Sequence, residues 1–228
     1  MKKKFLFLTL IAICLISLSA CGKSEIDLKS YLIEERNNLF TAQDELYNVN
    51  FSTGMRELDY NFDGSVGEKV EFGVLTLMRN DFNPLANDNY TYLVKINDQE
   101  YTGLMEKSPV DNSYVVDIGA AANDDAIISV KINFTGYTFS QDLLNTSNDF
   151  SVDKNTAIDI ANKNLNEDIK NILSDKNNQI EVVIKILKDY SSSEIKNYYW
   201  YVGVVSTNGE TIGILIDANS GEVIAKKV

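Results

Sequence analysis

From Glu45 to about Asp142, apolar residues fall in short runs with a period of two and no helical stripe interrupts them. Val70, Phe72 and Val74 alternate, with Leu75 and Leu77 beyond. Tyr90, Tyr92 and Val94 repeat the pattern, and Tyr101 opens a further run after the turn residues Asn97-Asp98. Tyr114–Ile118, Ala126–Phe134 and Tyr137–Phe139 complete the series. Between these runs lie Asp63-Gly64, Asn87-Asp88-Asn89, Asp111-Asn112-Ser113 and Asn123-Asp124-Asp125. A period of two marks strands with one buried face, and clusters of Asn, Asp, Gly and Ser supply the turns.

Short strands at regular spacing, with no helix between them, predict an antiparallel β-sandwich over 45–150. Its architecture is broadly immunoglobulin-like, without the Cys…Trp…Cys marker of a true immunoglobulin domain. The period then changes. Ile158, Ala161, Leu165, Ile169 and Ile172 step by three or four residues and predict a helix from about Lys154 to Leu173. Ser151 and Asp153 are the candidate N-caps. Strand candidates follow at Ile180–Leu187, Tyr198–Val205, Thr211–Asp217 and Glu222–Ala225. Ser191-Ser192-Ser193, Asn208-Gly209 and Asn219-Ser220-Gly221 break them apart. A helix followed by an antiparallel meander is a small α+β unit over 151–228. Ahead of the sandwich, Leu28, Leu32, Ile33, Leu39 and Phe40 recur with near-helical spacing among charged residues. They predict a short amphipathic helix over about 26–39, within a tether-and-helix segment 21–44.

The first residues read as an address. Lys2, Lys3 and Lys4 precede an apolar run from Phe5 to Leu18, and small residues follow. Residues 1–20 therefore predict a secretory signal peptide, its apolar run shorter than the ~20 residues that span a bilayer. Leu18-Ser19-Ala20-Cys21 resembles the lipobox of bacterial lipoproteins. The resemblance implies cleavage before Cys21, lipid attachment (diacylglycerol and palmitate) at its sulfur, and a lipid-anchored position on the extracytoplasmic face of the cell membrane. Gly22–Asp27 would then be a polar tether reaching ~20 Å at most.

Composition narrows the chemistry. The chain has 228 residues, no histidine and two cysteines. Cys14 would leave with the signal and Cys21 would be acylated, so no thiol remains for disulfides or catalysis. Without histidine there is no Ser-His-Asp or Cys-His apparatus and no His-ligated zinc. The expectation is a protein that is not an enzyme and has no catalytic residues, with a carboxylate-dependent hydrolase the remaining catalytic option. The net charge is −12. Residues 21–150 hold 22 acidic and 9 basic residues, whereas 151–228 hold 11 and 9, so the acidity belongs to the sandwich. Such a surface disfavours nucleic acid as a partner. It recruits cations or a basic protein, or simply keeps the chain soluble.

The last third of the chain carries a second resemblance. Its helix has spaced alanines, Ala157 and Ala161, and an aromatic-led strand follows at Tyr199-Trp200-Tyr201-Val202-Gly203-Val204-Val205. A further strand ends in Asp217-Ala218-Asn219-Ser220-Gly221-Glu222-Val223. This pattern resembles the PepSY domain of metallopeptidase propeptides and of many secreted or membrane-anchored bacterial proteins. The resemblance covers about 75 residues and implies binding or restraint of an extracellular peptidase, or of another envelope protein. No peptidase follows in this chain, so restraint would act in trans. The Ile180–Tyr199 connection is longer than in the shortest examples.

Two motifs suggest sites. Asp59-Tyr60-Asn61-Phe62-Asp63-Gly64-Ser65 matches the start of a calcium loop, with Asp59, Asn61, Asp63 and Ser65 as oxygen ligands. Position twelve, where an EF-hand places glutamate, is Val70, so a plain Asx/Gly turn explains the same residues. On the aromatic strand, alternation sends Trp200, Val202 and Val204 to the core and Tyr199 and Tyr201 to the other face as a candidate binding surface. The leading expectation is thus a non-enzymatic surface lipoprotein that binds proteins. The alternative is a cation- or ligand-binding lipoprotein acting through the acidic sandwich, with calcium the one cofactor implied.

Overall fold

The computed structural model describes residues 26–59, 61–80, 89–109, 111, 113–134, 136–189 and 197–228. The signal peptide, Cys21, Tyr60 and Ser191–Ser193 lie outside the described residues.

Among the described residues the fold is mostly antiparallel β-sheet with one α-helix. A 3-10 turn at Leu28–Tyr31 leads into β1 (Leu32–Gln43), followed by β2 (Tyr47–Glu57), β3 (Lys69–Arg79), β4 (Thr91–Ile96) and β5 (Gln99–Leu104). Then come β6 (Glu106–Lys107), β7 (Tyr114–Ile118), β8 (Ile128–Phe134) and β9 (Tyr137–Asn145). The helix α1 (Lys154–Ile172) precedes β10 (Ile180–Lys188), β11 (Tyr198–Ser206), β12 (Thr211–Asp217) and β13 (Val223–Lys227).

The helix expected over 26–39 is instead the short turn and the first half of β1. The reason is double-sided burial. Leu32, Ile33 and Glu34 are consecutively buried, and so are Asn38, Leu39 and Phe40. Leu39 belongs to the core beneath α1, whereas its neighbour Phe40 belongs to the core of the N-terminal unit. The chain shifts register between Arg36 and Asn38 against β2, and between Leu32 and Glu34 against β10. Apolar doublets separated by a charged stretch imitate a helical stripe when the strand carrying them is bulged and covered on both faces.

β1 is also the hub of the sheet. One edge pairs along its length with β2, antiparallel. The other edge is shared: residues 32–36 pair in parallel with β10, and Phe40 and Thr41 pair with β9. One path therefore runs β13-β12-β11-β10-β1-β2-β3-β7-β6. A second runs from β1 through β9, β8 and β4 to β5, which continues through buried Met105 into β6. The N-terminal strands thus curl into a nearly closed barrel, which leaves few unpaired edges. Its interior packs Phe40, Val49, Phe51, Leu75, Val94 and Ile132, with the aromatic rings of Tyr47, Tyr90 and Phe134 in mutual edge or tilted contact.

The second core lies between α1 and one face of β10–β12. Ala157, Ile158, Ala161, Leu165 and Ile169 are all but fully buried against Val182, Ile184, Trp200, Val202, Ile214 and Ile216. Asp153 caps α1 by accepting from the Thr156 N–H at 2.7 Å. The preceding residue, Val152, fixes the helix to the sheet. Its carbonyl accepts from Trp200 Nε1 at 2.8 Å, and its N–H donates to the Ala218 carbonyl at 3.0 Å. Asp217 organises the final turn, accepting from Asn219 N–H and Ser220 N–H, and Gly221 takes φ +74° there.

Candidate functional site

Alternation along β11 splits its side chains between two environments. Tyr198, Trp200, Val202 and Val204 face α1 and are buried, Trp200 to 2 % exposure. Tyr199, Tyr201 and Val205 face the other way and are part-exposed, as are Lys185 and Leu187 on β10 and Leu215 on β12. The side of the sheet opposite the helix is therefore a half-open, largely apolar surface.

Tyr201 lies flat on that surface because two strands leave room for it. A Cβ at Gly203 would sit 2.7 Å from Tyr201 Oη, and one at Gly213 would sit 3.0 Å from its ring. Glycine at both places lets the ring rest against the backbone of β11 and β12. Leu215 and Lys185 stand directly opposite Tyr201 on the neighbouring strands. Lys185 Nζ is 5.5 Å from the ring centroid, within cation–π range.

The same row continues across the junction. Lys185 pairs with Arg36 of β1, Arg36 with Gly54 of β2, and Gly54 with Phe72 of β3. A Cβ at Gly54 would collide with the Glu35 carbonyl, so glycine is required where β1 bulges. The absent side chain opens the path by which the Arg36 guanidinium reaches the Phe72 ring, 5.3 Å from its centroid. Arg56 covers the same ring at 4.6 Å, and Phe72 is only 1 % exposed beneath the two cations. Arg36 Nε donates to Glu34 Oε1 at 2.5 Å, and Arg56 is paired with Asp117. Lys185 has neither an ion pair nor a hydrogen bond among the described residues. Burial, and then the charge of Arg36, pull its ammonium below the usual lysine range, with Glu34 opposing them.

The loop 58–68 at the end of the β2–β3 hairpin holds the residues of the calcium-like motif. Asp63 is spent within its own turn, its Oδ1 accepting from Ser65 N–H at 2.9 Å and from Ser65 Oγ at 2.6 Å. These hydrogen bonds hold its carboxyl below the usual range. Asp59 and Asn61 are exposed and joined through backbone, Asn61 N–H donating to the Asp59 carbonyl at 2.7 Å. Two glutamates outside the motif clamp this loop. Glu57 accepts from the Gly67 N–H, and Glu181, from β10, accepts from the Gly64 N–H. Both glutamates are buried, and Glu181 Oε2 has no hydrogen-bond partner among the described residues. Burial pushes the Glu181 carboxyl up, and the charges of Glu57 and Asp63 add to it against the Gly64 and Asp63 N–H groups. The available signal was a lone acid in the apolar run Ile180-Glu181-Val182-Val183-Ile184. Among the described residues, no group of three or more acidic, His or Cys side chains is placed to hold a metal.

Tyr199 and Tyr201 thus share one face with Lys185 and Arg36, whereas Asp59, Asn61, Asp63 and Ser65 form a separate loop. Cys21, the remaining site residue, lies outside the described residues. No protein-family model matches this chain, no curated protein matches it in sequence, and no solved structure matches it in fold.

Proposed function

We propose that this chain is a non-enzymatic lipoprotein of the extracytoplasmic membrane face. It binds another envelope protein through the open face of a PepSY-like C-terminal unit, and its partner is an extracellular peptidase restrained in trans. The observation that carries this reading is the part-exposed aromatic and aliphatic face of β10–β12, with Tyr199 and Tyr201 at its centre. Aromatic residues held rigidly on a sheet dominate binding hot spots because they bury large area at little entropic cost. The PepSY-like identity rests on Asp217-Ala218…Gly221-Glu222-Val223 and on the helix alanines Ala157 and Ala161, both buried against the sheet.

The test is inhibition of a purified thermolysin-type metallopeptidase by the full chain. Wild type should inhibit, and Tyr199→Ala with Tyr201→Ala should lose at least tenfold in potency while melting as wild type does. Equal potency of the double variant contradicts the reading. The anchor is tested separately. Cys21→Ser should abolish labelling by radioactive palmitate and release the protein from the membrane fraction.

Cation binding at the Asp63 turn of the acidic unit is the second reading, favoured by Glu181, which reaches that turn from β10 with a buried Oε2 that has no partner among the described residues. Added calcium should then raise the thermal midpoint of the wild type and leave Glu181→Gln unmoved. A wild type indifferent to calcium removes this reading.

A further inference from the structure

We propose that the Lys185–Arg36–Arg56 row is a carboxylate-binding site, whose occupant is an apolar segment of a partner protein presenting an Asp or Glu side chain. The inference rests on the protein-binding reading of this face and specifies the chemistry of what docks there.

Charge complementarity carries it. Among the described residues the row places three cations on one sheet face and pairs two of them with carboxylates. Glu34 is taken by Arg36 and Asp117 by Arg56. Lys185 is left over, in a chain whose net charge is −12. A half-buried ammonium is stable only when something compensates its lost hydration. The Tyr201 ring, 5.5 Å away, offers at most a weak cation–π contact. An incoming carboxylate would form a charge-assisted hydrogen bond with Lys185 in a partly desolvated setting, where such bonds are strongest.

The surroundings select an apolar chain rather than a polyanion. Leu187, Val183, Leu215 and the flat Tyr201 ring flank the ammonium. They would bury the aliphatic or aromatic neighbours of the incoming acid. Glu34 and Asp117, held on the same face, and the overall negative charge oppose a densely charged polymer. The site is built for one negative charge.

Two short fluorescein-labelled peptides test this by anisotropy against the full chain. In one, leucine alternates with glutamate; in the other, glutamine replaces every glutamate. The acidic peptide should bind at least tenfold more tightly, and Lys185→Met should remove that advantage. Lys131→Met, an exposed lysine on the barrel, should leave it intact. Thermal melting of each variant guards against misfolding, and Lys185→Met should melt no lower than wild type because it removes a half-buried charge that no ion pair holds among the described residues. Equal binding of the two peptides overturns the carboxylate inference while the face itself remains a binding surface. Binding of neither peptide overturns both. Preferential binding of inorganic polyphosphate, or a self-dimer abolished by Lys185→Met, reassigns the occupant and likewise overturns the proposal.

Discussion

Glu181 and Lys185, four residues apart on β10, are both ionisable groups that the fold holds against their charged forms. For Glu181 the consequence is measurable. Its folded-state pKa is raised, so its contribution to stability is full below the unfolded value of about 4.3 and is lost as pH rises through the folded value. In the absence of divalent cations, Glu181→Gln should stabilise the protein at pH 7 by about 1 kcal/mol, because the amide oxygen keeps the bond from the Gly64 N–H while the buried charge that Glu57 and Asp63 repel is gone. The gain should vanish when denaturation is followed below pH 4. A destabilised variant at pH 7 would mean that the carboxylate has a partner there. Glu35 behaves in the opposite sense. Burial alone would push it up, but its bonds to Lys154 and Lys69 outweigh that and lower its pKa. Its stabilisation is present at neutral pH and lost as pH falls. Gly54 is a steric case: its missing Cβ clears the Glu35 carbonyl at the bulge. Gly54→Ala should cost about 1–3 kcal/mol in chemical denaturation, the range for forced overpacking. A cost near zero would show that the bulge relaxes freely.

At the scale of elements, α1 and β11 were legible because each buries a single face. The helix repeats at three and four residues, and the strand at two. Asp153 stood as a candidate cap from the sequence and takes that role, so Asp153→Ala should lower stability by about 1 kcal/mol in urea unfolding. An unchanged midpoint would leave the cap without weight. β1 was illegible for the converse reason. Two cores claim its opposite faces and two register shifts break its period, so its apolar residues fit a helix template. Its parallel pairing with β10, more than a hundred residues away, leaves no mark in local pattern. The row from Tyr201 to Phe72 was hidden in the same way. Its members come from five strands and meet only through register, and of them the alternation of β11 exposed Tyr201 alone. The loop at Asp59–Ser65 was legible as a turn, but the glutamates that clamp it were not, since Glu181 reaches Gly64 across 117 positions of sequence.

The whole molecule is joined through β1. The core beneath α1 includes Leu28, Leu32 and Leu39, and the barrel core includes Phe40, so neither unit is complete without this strand. Calorimetry should accordingly show one cooperative transition, and residues 151–228 alone, lacking β1 beside β10, should give a poorly dispersed NMR spectrum. Two well-separated transitions would show that the units fold independently. For function, the same continuity extends the open face of β10–β12 into the cationic row on β1–β3. The most direct test of that face places a photo-crosslinking benzoylphenylalanine at position 201 of the full chain, expressed in cells, and at Ile127, 70 % exposed on the barrel, as control. Illumination of intact cells should yield a discrete adduct from position 201 that contains a peptidase, and none from position 127. An adduct from 127 alone, or no adduct from 201, would contradict the assignment of the helix-opposite sheet face as the functional surface.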